Sequence, residues 1–198
     1  MNYPISYAAD FGQRDPAPGV DALFVERWSP RAMRKVEIPQ ADLRAIFDAA
    51  RWSPSCYNEQ PWRFVTSTPA SFATFLDLLV EANQGWARNA SVLGFVFADR
   101  KFSSRDGSDN ALAVFDSGAA WMAMTLQART LGLYTHGMAG IAWDRAHAAL
   151  GMDPEQYALC AGFAIGVLDT PETLPEPARA MERPSPRRPL AEIWRQVG

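Results

Sequence analysis

Cysteine and histidine are both scarce in this chain, with two of each in 198 residues. Cys56 and Cys160 lie far apart and form no C-x-x-C pair. That excludes a disulfide framework and a cysteine-built zinc site, and it fits a reducing, cytoplasmic setting. Neither His136 nor His147 is followed at i+3 or i+4 by a second metal-ligating residue, and both read as structural or solvent-facing histidines rather than ligands. Charge of one sign is also lacking. Nineteen basic and 22 acidic residues are interspersed, for a net charge of −3. Such a balance offers no broad field to attract nucleic acid or an anionic membrane. The longest near-apolar stretch, 158–168, is too short to span a bilayer and contains two glycines. Residues 1–14 lack the basic start and apolar run of a secretory signal. Missing too are a G-x-S-x-G elbow, a G-x-G-x-x-G turn after a strand, and a P-loop.

What the chain does hold is apolar material. Hydrophobic residues make up 48% of it, and seven are tryptophans. That suffices for one packed domain, and Trp side chains carry an N–H that needs a partner in a pocket or interface. Residues 1–20 contain three prolines and two glycines and read as a loosely held, flexible arm. Pro39 followed by Leu43, Ile46, Phe47 and Ala50 predicts a helix that stops near Arg51, before Ser53-Pro54. Trp62 to Thr66 reads as a strand, Ser71 to Ala82 as a helix, and Val92 to Ala98 as a buried strand. A charged, Ser-rich loop is expected from Arg100 to Asn110.

The longest helix is expected between Asn110 and Thr130, with Leu112, Phe115, Ala119, Met122 and Leu126 as its packed seam and Leu131-Gly132 as its end. A short helix capped by Asp144 and stopped by Gly151 follows, then a buried strand from Leu159 to Leu168. Six prolines between Asp169 and Pro189 exclude helix or central strand there. The strands do not alternate regularly with helices, so the fold class is α+β with a mixed or antiparallel sheet. The expected division is an arm at 1–20, a main domain at 21–168, and a proline-rich segment at 169–198 that wraps over a surface.

Two clusters carry chemistry. In Arg27-Trp28-Ser29-Pro30-Arg31, side chains at alternate positions converge on one side if the segment is extended. Two guanidinium forks and a hydroxyl suit a phosphate; the same residues also make an ordinary solvated basic turn. Between a helix and a strand, Ala50-Arg51-Trp52-Ser53-Pro54-Ser55-Cys56-Tyr57-Asn58-Glu59-Gln60-Pro61-Trp62 gathers hydroxyls, a thiol, two amides and three aromatics in a proline-bounded loop. Asn58 and Gln60 supply the donors and acceptors that the edge of a heterocycle needs. A polar turn without function accounts for the composition equally well.

Taken together, Arg27-x-Ser29-x-Arg31 and the downstream Ala-x-x-Ser-Pro-Ser-x-x-Asn-x-Gln-Pro-Trp run resemble the FMN-dependent nitroreductase family. The similarity continues in Asn83-Gln84-x-Trp86-Ala87, in Leu131-Gly132-Leu133 leading to Gly140, and in Pro-Arg-Arg-Pro-Leu at 186–190. It covers nearly everything after about residue 20.

The resemblance implies an interlocked homodimer with a central sheet flanked by helices and FMN at the subunit interface. It also implies a ping-pong reaction, in which NADH or NADPH reduces the flavin at N5 and a small acceptor (nitroaromatic, quinone or other conjugated electrophile) reoxidises it. By the same resemblance Arg27 and Ser29, with Trp28 between them, hold the phosphate and ribityl chain, and Arg187 completes the phosphate site. Arg31 sits near the N1/O2 end of the ring. Pro54, Ser55, Cys56 and Asn58 reach the flavin held mainly by the other subunit. Asn83 bonds the pyrimidine edge, and Gly137, Met138, Ala139 and Gly140 line the ring through backbone groups. Cys56, Trp86 and Ala139 depart from residues common in the family (serine, lysine and an acidic residue), which bears on acceptor preference. A flavin store without turnover, or a relative that dehalogenates or cleaves the flavin, would share these features.

Overall fold

A computed structural model describes residues 3–5 and 7–197. Its centre is a five-stranded sheet in which every pairing is antiparallel. The longest strand, β5 (Tyr157–Leu168), pairs along one edge with β3 (Val92–Asp99), which pairs in turn with β2 (Trp62–Thr66). Along its other edge β5 pairs with β4 (Tyr134–Met138), and its end, at Leu168 and Val167, pairs with the two-residue β1 (Met33–Arg34).

The strands alternate between two cores, as a period of two requires when both faces are covered. Leu93, Phe95 and Phe97 point into one core with Phe75, Leu79, Trp86 and Ile141. Val92, Val96, Phe163, Ile165 and Val167 point into the other with Ile46, Ala120, Met124 and Ala128. Helices α2 (Gln40–Arg51) and α5 (Ala113–Leu131) therefore cover one face. On the opposite face lie α3 (Phe72–Asp77), α4 (Glu81–Ala87) and α6 (Trp143–Leu150). The α+β class with an antiparallel sheet flanked by helices is thus observed. Among the described residues, no helix is long and apolar enough to cross a membrane.

Three expectations require correction. The helix expected over 71–82 is broken in two. Leu79 bridges Ile141, Val80 takes an extended conformation, and its N–H donates to the Gly140 carbonyl at 3.1 Å. Tertiary hydrogen bonds to the 140–142 segment thus replace intrahelical ones.

The seam of α5 is also displaced. Its buried side is Ala113, Asp116, Ser117, Ala120, Met124, Thr125, Ala128 and Arg129, while Leu112 and Phe115 are 47% and 76% exposed. Both sets obey three–four spacing on a helix apolar all round, so periodicity could not choose between them. The smaller set packs inward because α5 is pressed between α2 and the sheet. Third, α6 begins after Ala142, which makes Asp144 a first-turn residue rather than the cap. Gly132 and Gly151 end their helices at φ 96° and 65°, as the left-handed C-terminal position favours.

The terminal segments both lie on the body. The Tyr3 hydroxyl donates to Asp42 at 2.6 Å, and Ile5, Tyr7, Ala9 and Phe11 pack around Trp28, Tyr134 and Leu168. Between Asp169 and Pro189 the chain forms two short 3-10 turns, Pro171–Thr173 and Arg179–Met181, and buries Leu174 and Glu182. A helix of one turn, α7 (Leu190–Ile193), follows. The short α1 (Ala22–Glu26), capped by the Asp21 side chain, leads into Arg27.

Candidate functional site

Beside β4, the chain leaving α1 meets the C-terminal segment around a polar cavity of about 350 Å³. Arg27, Trp28, Ser29, Arg31, Gly137 and Arg187 line it, so the two arginine-bearing motifs from opposite ends of the sequence converge there. Arg14, His136, Met181, Glu182, Arg183 and Ser185 complete the wall. Arg27 Nη1 donates to Ser29 Oγ at 3.3 Å, which sets the two alternate side chains side by side. Arg188 lines only a neighbouring apolar hollow under α7, whereas Arg187 lines both.

The electrostatics of this cavity are one-sided. Five arginines line it, and among the described residues Arg14, Arg27 and Arg187 form no ion pair. Burial and the Arg187 charge hold the Arg27 guanidinium below its ordinary range; Arg14 is lowered by burial and by Arg187 and Arg27. Two buried donors, Arg14 Nη2 and Trp28 Nε1, have no partner. Like charges crowded together with unsatisfied donors are costly unless an anion joins them. Such an arrangement can take a multiply charged, oxygen-rich anion such as a phosphomonoester.

Glu182 is the one carboxylate in the wall, and its Oε2 is buried without a hydrogen-bond partner. Its Oε1 accepts the backbone N–H groups of Arg31 and Ala32 at 2.7 and 2.8 Å. Burial pushes its pKa up, and the two N–H donors oppose that shift. Its role is to tie the C-terminal segment to the turn that carries Arg31.

His136 stands on β4 with Nδ1 3.0 Å from the Pro30 carbonyl and its ring 4.6 Å, centroid to centroid, from Trp86. A carbonyl can only accept, so Nδ1 carries the proton. Burial pushes the His136 pKa down to about 4; the Pro30 carbonyl opposes this and the Arg31 charge adds to it. The imidazole is thus neutral at physiological pH.

Around the corner, the break between α3 and α4 brings Asn83 to the flank of Gly140. Asn83 Nδ2 donates to the Gly140 carbonyl at 3.1 Å. A Cβ at Gly140 would come within 2.6 Å of that nitrogen and 2.7 Å of Val80, so close approach requires glycine there. Met138 points into the core and Ala139 is exposed, so Met138 can face a ligand only through its backbone.

None of Pro54, Ser55, Cys56 or Asn58 lines the arginine cavity. Their loop packs instead against the start of α5 and the 100–110 loop. The Cys56 N–H donates to Asp116 at 3.0 Å, and the Gln60 N–H donates to Ser55 Oγ at 2.9 Å. Glu59 accepts from the Ser103 N–H and the Ser104 hydroxyl, bonds that hold its carboxyl at about 2. Tyr57, Asn58 and Gln60 all have φ between 52° and 58°. Three non-glycine residues in the left-handed region cost of order 1 kcal/mol or more each, and such strain persists where surrounding contacts over-determine the loop.

Sequence reasoning overlooked Arg14, Glu182, Arg183 and Ser185. Nothing in their local pattern marks them, because each gains its place only through packing of the terminal segments. His136 carried one signal, its position just before the Gly137–Gly140 run.

Comparison with known proteins places these features in context. A model of the Nitroreductase family matches residues 25–76, the stretch that contains both motifs. A crystal structure of an oxidoreductase containing FMN is 42% identical, covers 92% of this chain and 94% of its own, and superimposes with a TM-score of 0.88. A protein of Exiguobacterium sibiricum, described as a nitroreductase in complex with FMN, is 23% identical over 98% of this chain and 100% of its own, with a TM-score of 0.74. The enone reductase of CLA biosynthesis from Lactiplantibacillus plantarum is 24% identical over 166 residues, 66% of this chain and 76% of that protein.

Proposed function

This chain belongs to the nitroreductase family of oxidoreductases, and from that premise we propose that it binds FMN and passes electrons from NADH or NADPH to a small conjugated acceptor. The observation that carries the reading is the arginine cavity, where unpaired guanidinium groups and buried free donors from both ends of the chain meet beside β4. FMN, when bound, would supply the redox chemistry, hydride transfer between a reduced nicotinamide and the acceptor.

The protein's part is binding, orientation and electrostatics. Arg27, Ser29 and Arg187 grip the phosphate, whose charge of roughly −1.5 to −2 at neutral pH matches the unpaired arginines. Trp28 Nε1 offers a further donor to the oxygens of the chain beyond the phosphate. Arg31, held by Glu182 through its backbone, places a cation where reduction of the ring adds negative charge, and so favours the reduced state. Asn83, oriented by Gly140, presents its remaining amide groups to the pyrimidine edge. The backbone from Gly137, which lines the cavity, to Gly140 would hold the ring. His136 stays neutral and adds no repulsion to the cation set.

The strained 54–60 loop then serves a second copy of the chain. It lies outside the arginine cavity. Near it are the exposed apolar side chains Leu112 and Phe115 of α5 and Trp52, which would pack in a homodimer. In this reading residues 21–168 form the flavin domain, 1–20 an arm, and 169–198 a segment that completes the phosphate site. Both cysteines are free thiols, in keeping with a reducing cytoplasm. A conjugated carbonyl, quinone or nitro compound suits the acceptor role, and similarity to an enone reductase supports that class.

The test is spectroscopic. Purified protein should be yellow, should bleach with NADH or NADPH under anaerobic conditions, and should recover when an enone, quinone or nitroaromatic is added. Protein that neither retains nor binds FMN refutes the reading. Flavin that binds but is not reduced by either nicotinamide would make the protein a flavin store.

A further inference from the structure

Arg14 lies outside the sequence motifs that carry the family resemblance, yet the fold carries it into the arginine cavity. Its guanidinium is fixed by three backbone carbonyls from two segments far apart in the sequence. Nη1 donates to the carbonyls of Val25, at the end of α1, and of Arg27, at 2.9 Å for the latter. Nε donates to the Ser185 carbonyl at 3.1 Å. Nη2 is buried and has no partner. A side chain with this much directional support is oriented before any ligand arrives, and the nitrogen left over has nothing in the protein to bond.

The charge around it is equally unresolved. Arg27 and Arg187 are near enough to act on Arg14 electrostatically, and none of the three has a carboxylate partner among the described residues. Glu182 Oε1 is occupied with the Arg31 and Ala32 N–H groups, and its buried Oε2, without a hydrogen-bond partner, makes no ion pair with any of the three. Bringing Arg14 into this company gains three hydrogen bonds but adds like-charge repulsion and desolvation. An anion with several oxygens reverses that balance, because it gives Nη2 an acceptor and offsets most of the charge of the three cations.

We propose that Arg14 is a third guanidinium of the phosphate site, and that residues 7–14 form a clasp which a bound phosphomonoester locks against the C-terminal segment. The inference rests on FMN, or another phosphomonoester, occupying the cavity. Its consequence is selectivity: FMN is preferred over riboflavin partly through a residue of the arm, and binding at the cavity orders both terminal segments. Alternating Tyr7, Ala9 and Phe11 against Trp28 and Tyr134 seat the arm so that Arg14 arrives at the cavity mouth.

The experiment uses the full-length apoprotein as wild type, Arg14→Gln and Arg14→Lys. Affinities for FMN and riboflavin are read by flavin fluorescence, and hydrogen exchange is followed at 7–14 and 183–187 with FMN, riboflavin or inorganic phosphate. Loss of a charge-assisted bond predicts that R14Q weakens FMN roughly 10-fold or more while riboflavin affinity stays within about twofold. R14K should recover part of the loss, since it keeps the charge without the fork. FMN and inorganic phosphate should slow exchange in both segments of the wild type, and riboflavin should not.

Equal FMN affinity in R14Q, or exchange at 7–14 indifferent to FMN and phosphate, overturns the inference alone. A parallel loss of FMN and riboflavin also overturns it, by showing a merely structural role. Wild-type protein that binds neither FMN nor phosphate overturns the flavin reading and this inference together.

Discussion

Replacing Arg27 with alanine should move stability and affinity in opposite directions. In the ligand-free protein Arg27 is half-buried, bonds Ser29 Oγ at 3.3 Å, and is acted on by the charge of Arg187. At 3.3 Å this charge-assisted bond to a hydroxyl is long and contributes about 1 kcal/mol, which the repulsion removed offsets. The melting temperature of Arg27→Ala apoprotein should therefore equal or slightly exceed that of the wild type. With FMN the sign reverses. Loss of a charge-assisted bond of ~1.5–3 kcal/mol to the phosphate predicts a dissociation constant roughly 10- to 150-fold higher. Riboflavin, which lacks the phosphate, should bind both proteins almost alike. The assay is fluorescence titration of apoprotein with each flavin at fixed ionic strength, alongside thermal unfolding. Unchanged FMN affinity would refute the assignment of the cavity. So would an equal loss for both flavins, since it would mean that the substitution disturbs the fold rather than the phosphate contact.

Gly94 faces the ring of Phe163 across the β3–β5 pair, and a Cβ there would come within 2.3 Å of Cζ. Gly94→Ala should cost about 3 kcal/mol, seen as a fall of roughly 6–12 °C in melting temperature; an unchanged value would show that the core yields more readily than its packing implies. Gly140→Ala should displace Asn83 and weaken FMN and riboflavin by a similar factor, roughly 3- to 10-fold, in titrations like those above. A loss confined to FMN would place the 140 segment at the phosphate instead. Because the His136 pKa is lowered to about 4 from an ordinary 6.5, the fold favours the neutral ring. Its contribution is present above about pH 6.5 and is lost as pH falls toward 4, on the order of 3 kcal/mol in total. NMR titration of the apoprotein checks the pKa directly, and a midpoint near 6.5 contradicts the burial argument.

Sequence alone reached the elements whose causes are local. The strand at Trp62–Thr66, the buried strands near 92–98 and 159–168, and the glycine stops at Gly132 and Gly151 all follow from side-chain period and backbone freedom within a few residues. The two arginine motifs and the amide-rich loop were legible for the same reason, because their chemistry is concentrated in short runs. Tertiary structure decided everything that depended on which surface meets which. It broke the 71–82 helix, because the carbonyl of Gly140 and the backbone of Ile141 offered Val80 and Leu79 better partners than another helical turn. It also chose between two equally periodic faces of α5, turning the small residues inward and leaving Leu112 and Phe115 outside.

The arginine cavity shows the same division. Period and composition identified Arg27, Ser29 and Arg31 as a set that could hold an anion, but not Arg14 or Glu182, whose neighbours in the sequence say nothing of phosphate. Those two acquire their roles from contacts across about 170 and 150 positions, Arg14 with Ser185 and Glu182 with Arg31. The chain's sequence determined that an anion-binding pattern was present. Only the packing of both terminal segments against β4 determined how many charges converge there, because hydrogen bonds at such separations leave no periodic trace along the chain.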